Sequence, residues 1–209
     1  MQDAMKLLWS SRSPFVRKVM VFAHETGLAS RIECVRTVVA PAKPNAQVMA
    51  LNPLSKLPTL IMDDGRALYD SPVICEYLDG LHGGPALFPS GGTDRLEALR
   101  RQALGDGMMD FLLVWLSERF RPAEQQSAPL LEACRLKLEA ALDALEAETD
   151  ALARAPFGIA HVAIGCALGY ADFRFADNAW RSGRPRLAAW ADATHARPSF
   201  QATQHADVY

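Results

Sequence analysis

A chain of 209 residues, half of them apolar and 22% charged, has ordinary globular composition and room for one large domain or two small ones. A formal net charge of −2, with no basic run or basic–aromatic stripe, gives no electrostatic footprint for nucleic acid. The longest apolar stretch, 162–171, is broken by two glycines and falls far short of the ~20 residues of a membrane span, and Leu7-Leu8-Trp9 after Asp3 is too short for a signal-peptide core.

The first 80 or so residues alternate strand-like and helix-like segments. Met5–Trp9 is a compact apolar run. Ser10-Ser11-Arg12-Ser13-Pro14 follows, a cluster of hydroxyls at a helix entry, with serine as N-cap and proline at the first helical position, where its missing N–H costs nothing. The helix it opens, 14–26, puts Phe15, Val19, Phe22 and Ala23 on one stripe and stops at Gly27 in the C′ position. Residues 32–39 alternate as a strand would. Residues 58–62 and 67–69 flank Asp63-Asp64-Gly65-Arg66, a hairpin turn signal. Ser71-Pro72 opens another helix, with serine again read as the cap. The order is βαβ, loop, ββα.

Residues 81–93, with four glycines and two prolines, read as a linker. Beyond it every segment has a helical period: 94–121, then 131–152 with leucines seven apart, an apolar helix over 157–175 and a shorter one over 185–196. The predicted architecture is α/β followed by all-α, with domains at 1–82 and 93–209. The four cysteines, Cys34, Cys75, Cys134 and Cys166, make no CxxC or metal-ligand spacing, and the five histidines make no HExxH. The expectation is no metal and the buried thiols of a cytoplasmic protein.

Two motifs carry chemistry. Leu57-Pro58 leads into a strand where proline cannot donate to a ladder, so it sits at an edge or turn. If that bond is cis, the backbone N–H and C=O of Leu57 turn outward and suit an extended peptide. Asp70-Ser71-Pro72 offers the free N–H groups and dipole of a helix start to a carboxylate, with Asp70 beside it for an ammonium. Together they describe a site for a small zwitterionic peptide.

This set resembles the cytosolic glutathione transferase family over nearly the whole chain: Ser13-Pro14-Phe15, Asn52-Pro53, Lys56-Leu57-Pro58, and Asp70-Ser71 followed by Ile74, Tyr77 and Leu78. In the helical half Asp106-Gly107-Met108-Met109-Asp110 and Arg197-Pro198-Ser199-Phe200 agree with it. The resemblance implies a thioredoxin-like domain joined to a helical bundle, a homodimer, a cis bond before Pro58, and glutathione as co-substrate. It implies that Lys56 meets the glycyl carboxylate, that Leu57 pairs the cysteinyl backbone, and that Asp70 and Ser71 hold the γ-glutamyl ammonium and carboxylate. Asp106 resembles a residue that in some classes reaches glutathione bound to the second copy.

Glutathione's thiol has an ordinary cysteine pKa of about 8.5, so little of it is thiolate at neutral pH. A helix N-terminus and a donated hydroxyl both favour the thiolate. The serine cluster is therefore expected to activate the ligand's nucleophile rather than to be one. Ser13, before Pro14-Phe15, matches the activating serine of the tau class, and Ser11 suits a zeta-like arrangement, with Ser10 third. With no cysteine there, a mixed-disulfide mechanism is disfavoured. The family's Ser/Thr-x-x-Asp helix cap is replaced by Gly158-Ile159-Ala160-His161, and His161 reads as a structural substitute rather than a base. Met108, Met109, Phe111, Leu112 and Trp115 read as core before they read as an apolar wall. The expected activity is conjugation of glutathione to an apolar electrophile. The rival is a non-catalytic module that keeps the fold for binding or protein interaction.

Overall fold

The computed structural model describes residues 5–207, so Asp3 lies outside the described residues. The chain divides into two compact units. One comprises the described residues of Met1–Ser90 together with those of Pro198–Tyr209, and the other is Gly91–Arg197. The sequence had assigned 198–209 to the helical half; here the segment packs with the first unit.

In the first unit, β1 (Met5–Trp9), α1 (Pro14–Glu25), β2 (Ile32–Arg36), a one-turn α2 (Ala46–Met49), β3 (Thr59–Ile61), β4 (Ala67–Leu68) and α3 (Ser71–Asp79) follow in order. The sheet order is β2-β1-β3-β4, with β1 parallel to β2 and antiparallel to β3, and β4 antiparallel to β3. This is the thioredoxin-like half of the expected fold. Strand β1 is central, and Met5, Leu7 and Leu8 are buried while Lys6 is exposed.

Helix α1 forms where sequence chemistry puts it. Ser13 is the N-cap, its Oγ accepting from Val16 N at 3.2 Å, which is worth about 1 kcal/mol to a helix end. At the other end Gly27, at φ 73°, closes a Schellman motif in which Leu28 N donates to Ala23 O at 2.8 Å and Gly27 N to His24 O at 3.2 Å. Val19, Phe22 and Ala23 are buried, and Phe22 lies 5.8 Å from the Phe88 ring. Asp79, in the last turn of α3, accepts from Leu87 N at 2.8 Å and Phe88 N at 3.2 Å. Much of the expected linker is therefore tied back onto this unit.

Helix α3 begins one residue earlier than read from the sequence. Asp70 is the N-cap and Ser71 is the first helical residue. After the second unit the chain adds a short α8 (Pro198–Gln201), which packs on α1: Arg17 Nη2 donates to Phe200 O at 3.3 Å, and Ser199 Oγ donates to Glu25 Oε1 at 2.5 Å.

The second unit holds α4 (Gly92–Arg119), α5 (Ala128–Arg154), α6 (Ile159–Arg174) and α7 (Pro185–His195). Leu138, Leu145 and Leu152 of the seven-spaced leucines are buried, as are Met108, Met109 and Leu112, so these side chains serve as core. Helix α6 is apolar on every side because it is buried from Ile159 to Ala171. Gly105 of α4 lies against its backbone: a Cβ there would sit 2.7 Å from the carbonyl carbon of Ala163. No helix among the described residues is long and apolar enough to cross a membrane. Cys75, Cys134 and Cys166 are buried thiols, but Cys34, on β2, is exposed, because β2 is an edge strand.

Candidate functional site

Strand register gathers the candidate residues of the first unit at one end of its sheet. Leu8 pairs with Thr59, so the loop that follows β1 emerges beside the segment that precedes β3. Leu68 pairs with Leu60, so the chain leaving β4 toward Asp70 runs alongside Pro58-Thr59. The serine cluster, Leu57-Pro58 and Asp70-Ser71 thus share that end. The Leu57–Pro58 bond is cis, as the resemblance implied, and so is Tyr69–Asp70.

The three serines have different duties. Ser10 Oγ accepts from Arg12 N at 3.4 Å inside a tight turn closed by Ser13 N donating to Ser10 O at 3.2 Å. Ser11 Oγ donates to Ala206 O at 2.8 Å, while Ser11 O faces Ala206 N at 3.4 Å and His205 Nδ1 at 3.1 Å. Arg12 extends the same attachment, with Nη2 donating to Asp207 O at 3.0 Å and Nε 3.2 Å from Asp207 Oδ1. Residues 205–207 therefore strap the loop, and the Ser11 proton is spent on them. Ser13 Oγ accepts from Val16 N, which leaves its own proton to be donated in front of the α1 N-terminus.

The loop before β3 is built on Asn52, a buried amide. Its Nδ2 donates to Thr59 Oγ1 at 3.0 Å and to Lys56 O at 3.3 Å, and its Oδ1 accepts from Leu54 N at 3.0 Å. Thr59 Oγ1 donates to Lys56 O at 2.9 Å, so that carbonyl is held from two sides. Ser55, at φ 51°, accepts from Asn45 N at 2.9 Å. The result presents Lys56 exposed and Leu57 half-buried ahead of the strand ladder. The sequence marks Asn52 only through the Asn52-Pro53 pair, because its partners across the loop are set by the fold.

At the start of α3, Asp70 is exposed and its side chain makes no capping hydrogen bond, so the carboxylate faces solvent beside the helix end. Ser71 is buried, and the Nζ of Lys18, from α1, lies 3.5 Å from its Oγ. Lys18 was not singled out from the sequence, where a lysine reads as belonging to the solvent face of an amphipathic helix.

His161, in the second unit, is structural. Gly158 N donates to its Nδ1 at 3.2 Å, so Nδ1 carries no proton, and Nε2 donates to Leu152 O at 2.9 Å. Burial is the first cause pushing this imidazole below its ordinary value; the bond to Leu152 opposes that, and Arg101 and Arg197 reinforce it. The ring reaches back to the N-cap N–H as the acid of a capping box would, while glycine supplies no acceptor of its own.

Residues 12–81 match the glutathione S-transferase N-terminal domain family and residues 128–193 the C-terminal domain family. The chain is 36% identical over 202 residues, 96% of its length and 98% of the relative's, to the uncharacterized GST-like protein YibF of Escherichia coli K12. Among solved structures, it is similar to a glutathione transferase family member from Pseudomonas fluorescens Pf-5 with bound glutathione, at 41% identity and a TM-score of 0.94, covering 97% of this chain and 100% of that one. It is also similar to a glutathione S-transferase from Methylobacillus flagellatus KT with glutathione bound, at 35% identity and a TM-score of 0.87, again covering 97% and 100%. On its sequence, its sheet and helical halves and these full-length relatives, the chain belongs to the glutathione S-transferase family.

Proposed function

We propose that the protein is a serine-type glutathione transferase that binds glutathione in its first unit, ionises the thiol and adds it to an apolar electrophile. The observation that carries this reading is the shared sheet end, where a capped helix start with a donatable hydroxyl, a cis-proline loop and a second helix start lie together. Glutathione bound to two relatives above 30% identity supports it. Lys56 takes the glycyl carboxylate and Leu57 the cysteinyl backbone. Asp70 takes the ammonium, and Ser71 with the α3 N-terminus takes the γ-glutamyl carboxylate. Ser13, rather than Ser11, donates to the sulfur. Each unit by which the thiol pKa falls is worth about 1.4 kcal/mol of preference for the thiolate.

No metal takes part in this scheme. The working form we propose is a cytoplasmic homodimer; Leu54 and Val73 of the first unit and Leu96 of the second are exposed apolar side chains suited to burial against a second copy. The deciding experiment is calorimetric titration with glutathione, with the bound thiolate followed by ultraviolet absorbance near neutral pH. Binding with a raised thiolate fraction is the expected result. Absence of binding at millimolar glutathione would overturn the reading in favour of a non-catalytic interaction module.

A further inference from the structure

Lys18 is 0% exposed and Ser71 1% exposed, and the Nζ of the first donates to the Oγ of the second at 3.5 Å. Lysine is almost never fully buried, because its charge is costly to take out of water, so this placement asks for a reason. Geometry supplies one. An ammonium has three donors and no acceptor, so Ser71 Oγ is the accepting partner and its own proton is directed away from Lys18. Ser71 is the first residue of α3, where backbone N–H groups have no partner inside the helix. Pro72 removes one of those donors, and the first bond inside the helix, Ile74 N to Asp70 O at 3.0 Å, lies beyond them. The helix start is therefore one backbone donor short, and the serine proton with a positive charge behind it makes good the difference.

We propose that Lys18 is a positioning residue for the carboxylate end of the ligand: it fixes Ser71 as a hydrogen-bond donor and sets a buried positive charge behind the α3 N-terminus. This rests on the proposed glutathione site and adds to it a residue that does not touch the ligand. Lys18 acts through Ser71 and through its field, and both effects fall on the γ-glutamyl carboxylate rather than on the rest of the peptide.

The test uses the full chain and two ligands: glutathione, and 4-aminobutanoyl-cysteinylglycine, which keeps the amine and thiol but lacks the γ-glutamyl carboxylate. Lys18→Met is expected to weaken glutathione about tenfold while changing the affinity of the decarboxy ligand less than about twofold, since what is lost is the charge behind Ser71, which acts on the carboxylate alone. Lys18→Arg is expected to retain most of the discrimination. In a Ser71→Ala background the effect of Lys18→Met should shrink, the signature of two residues acting through one another. Should the methionine variant fail to fold, Lys18→Gln, one atom shorter, which keeps a hydrogen-bond donor but not the charge, decides the matter with the same pair of ligands. Equal loss toward both ligands would show Lys18 to be a strut between α1 and α3 and overturn the inference, as would unchanged affinity for glutathione. A wild-type protein that binds neither ligand would instead overturn the glutathione reading itself.

Discussion

The hydroxyl of Ser11 donates to the carbonyl of Ala206 at 2.8 Å, across 195 positions of sequence. That bond separates two serines that are otherwise nearly equivalent as local chemistry. Ser11 is bound to a strap, whereas Ser13 accepts one backbone N–H and keeps its proton. Ser13→Ala is expected to raise the pKa of bound glutathione's thiol by about one unit or more and to lower conjugation roughly tenfold or beyond, with modest loss of binding. Ser11→Ala should leave the bound thiol's pKa near the wild-type value. A spectroscopic pH titration of the bound thiol ranks the two, and the reverse order would move the catalytic role to Ser11.

Asp70 and Ser71 are expected to matter for affinity and not for the thiol. Asp70→Ala removes an exposed carboxylate that caps nothing in the helix, so the fold should be little changed. Glutathione should bind about tenfold more weakly, in keeping with the loss of one charge-assisted partner. Calorimetry on the variant checks this, and unchanged affinity would reject the assignment.

A Cβ at position 105 would lie within 3 Å of three backbone atoms of α6, none of them able to rotate away. Gly105→Ala should therefore destabilise the protein by about 1–3 kcal/mol despite alanine's better helix propensity, because α4 and α6 are forced apart. Denaturant unfolding measures it. A stabilised variant would show that these helices can separate without cost.

His161 predicts a pH dependence with a definite sign. Its folded-state pKa lies below the ordinary value of 6.5, so the unfolded chain binds the proton more readily. Stability from the neutral ring is complete above the ordinary value and is lost as pH falls through that value toward the folded one. His161→Gln keeps a side chain able to reach back to Gly158 N but removes the titration. Unfolding free energies at neutral and mildly acidic pH should fall more steeply for wild type than for the variant. Equal slopes would place the acid sensitivity elsewhere.

How far the sequence foretold this site depended on whether the governing interaction was local. The Ser13-Pro14 start of α1 and the Gly27 stop were legible because capping is decided within a few residues. The same Ser-Pro pair misled at α3: with Asp70 available as cap, the helix begins a residue earlier and Pro72 falls in its second position. Strand β2 was read through to residue 39 because its alternation continues, but its partner β1 ends at Trp9, and Thr37 N donating to Trp9 O at 2.8 Å is the last bond the neighbour offers. Helix α2 is a single turn held by Asn45, too short for any period to register. Lys18 and the attachment of residues 205–207 were invisible for a common reason: each is defined by a partner far along the chain, and a lysine or a polar tail carries no local mark of burial.

The strap has a consequence for how the protein comes to be made. The first unit is assembled from two stretches with the entire helical unit between them. A fragment ending at Ser90 would carry Ser13, Lys56, Leu57, Asp70 and Ser71, yet it would lack the carbonyls that receive Ser11, Arg12 and Arg17 and the hydroxyl that meets Glu25. During translation the serine loop therefore emerges early but gains these anchors only after the helical unit has been synthesised. The nascent N-terminal half thus contains every proposed ligand contact before the loop that carries Ser13 is anchored.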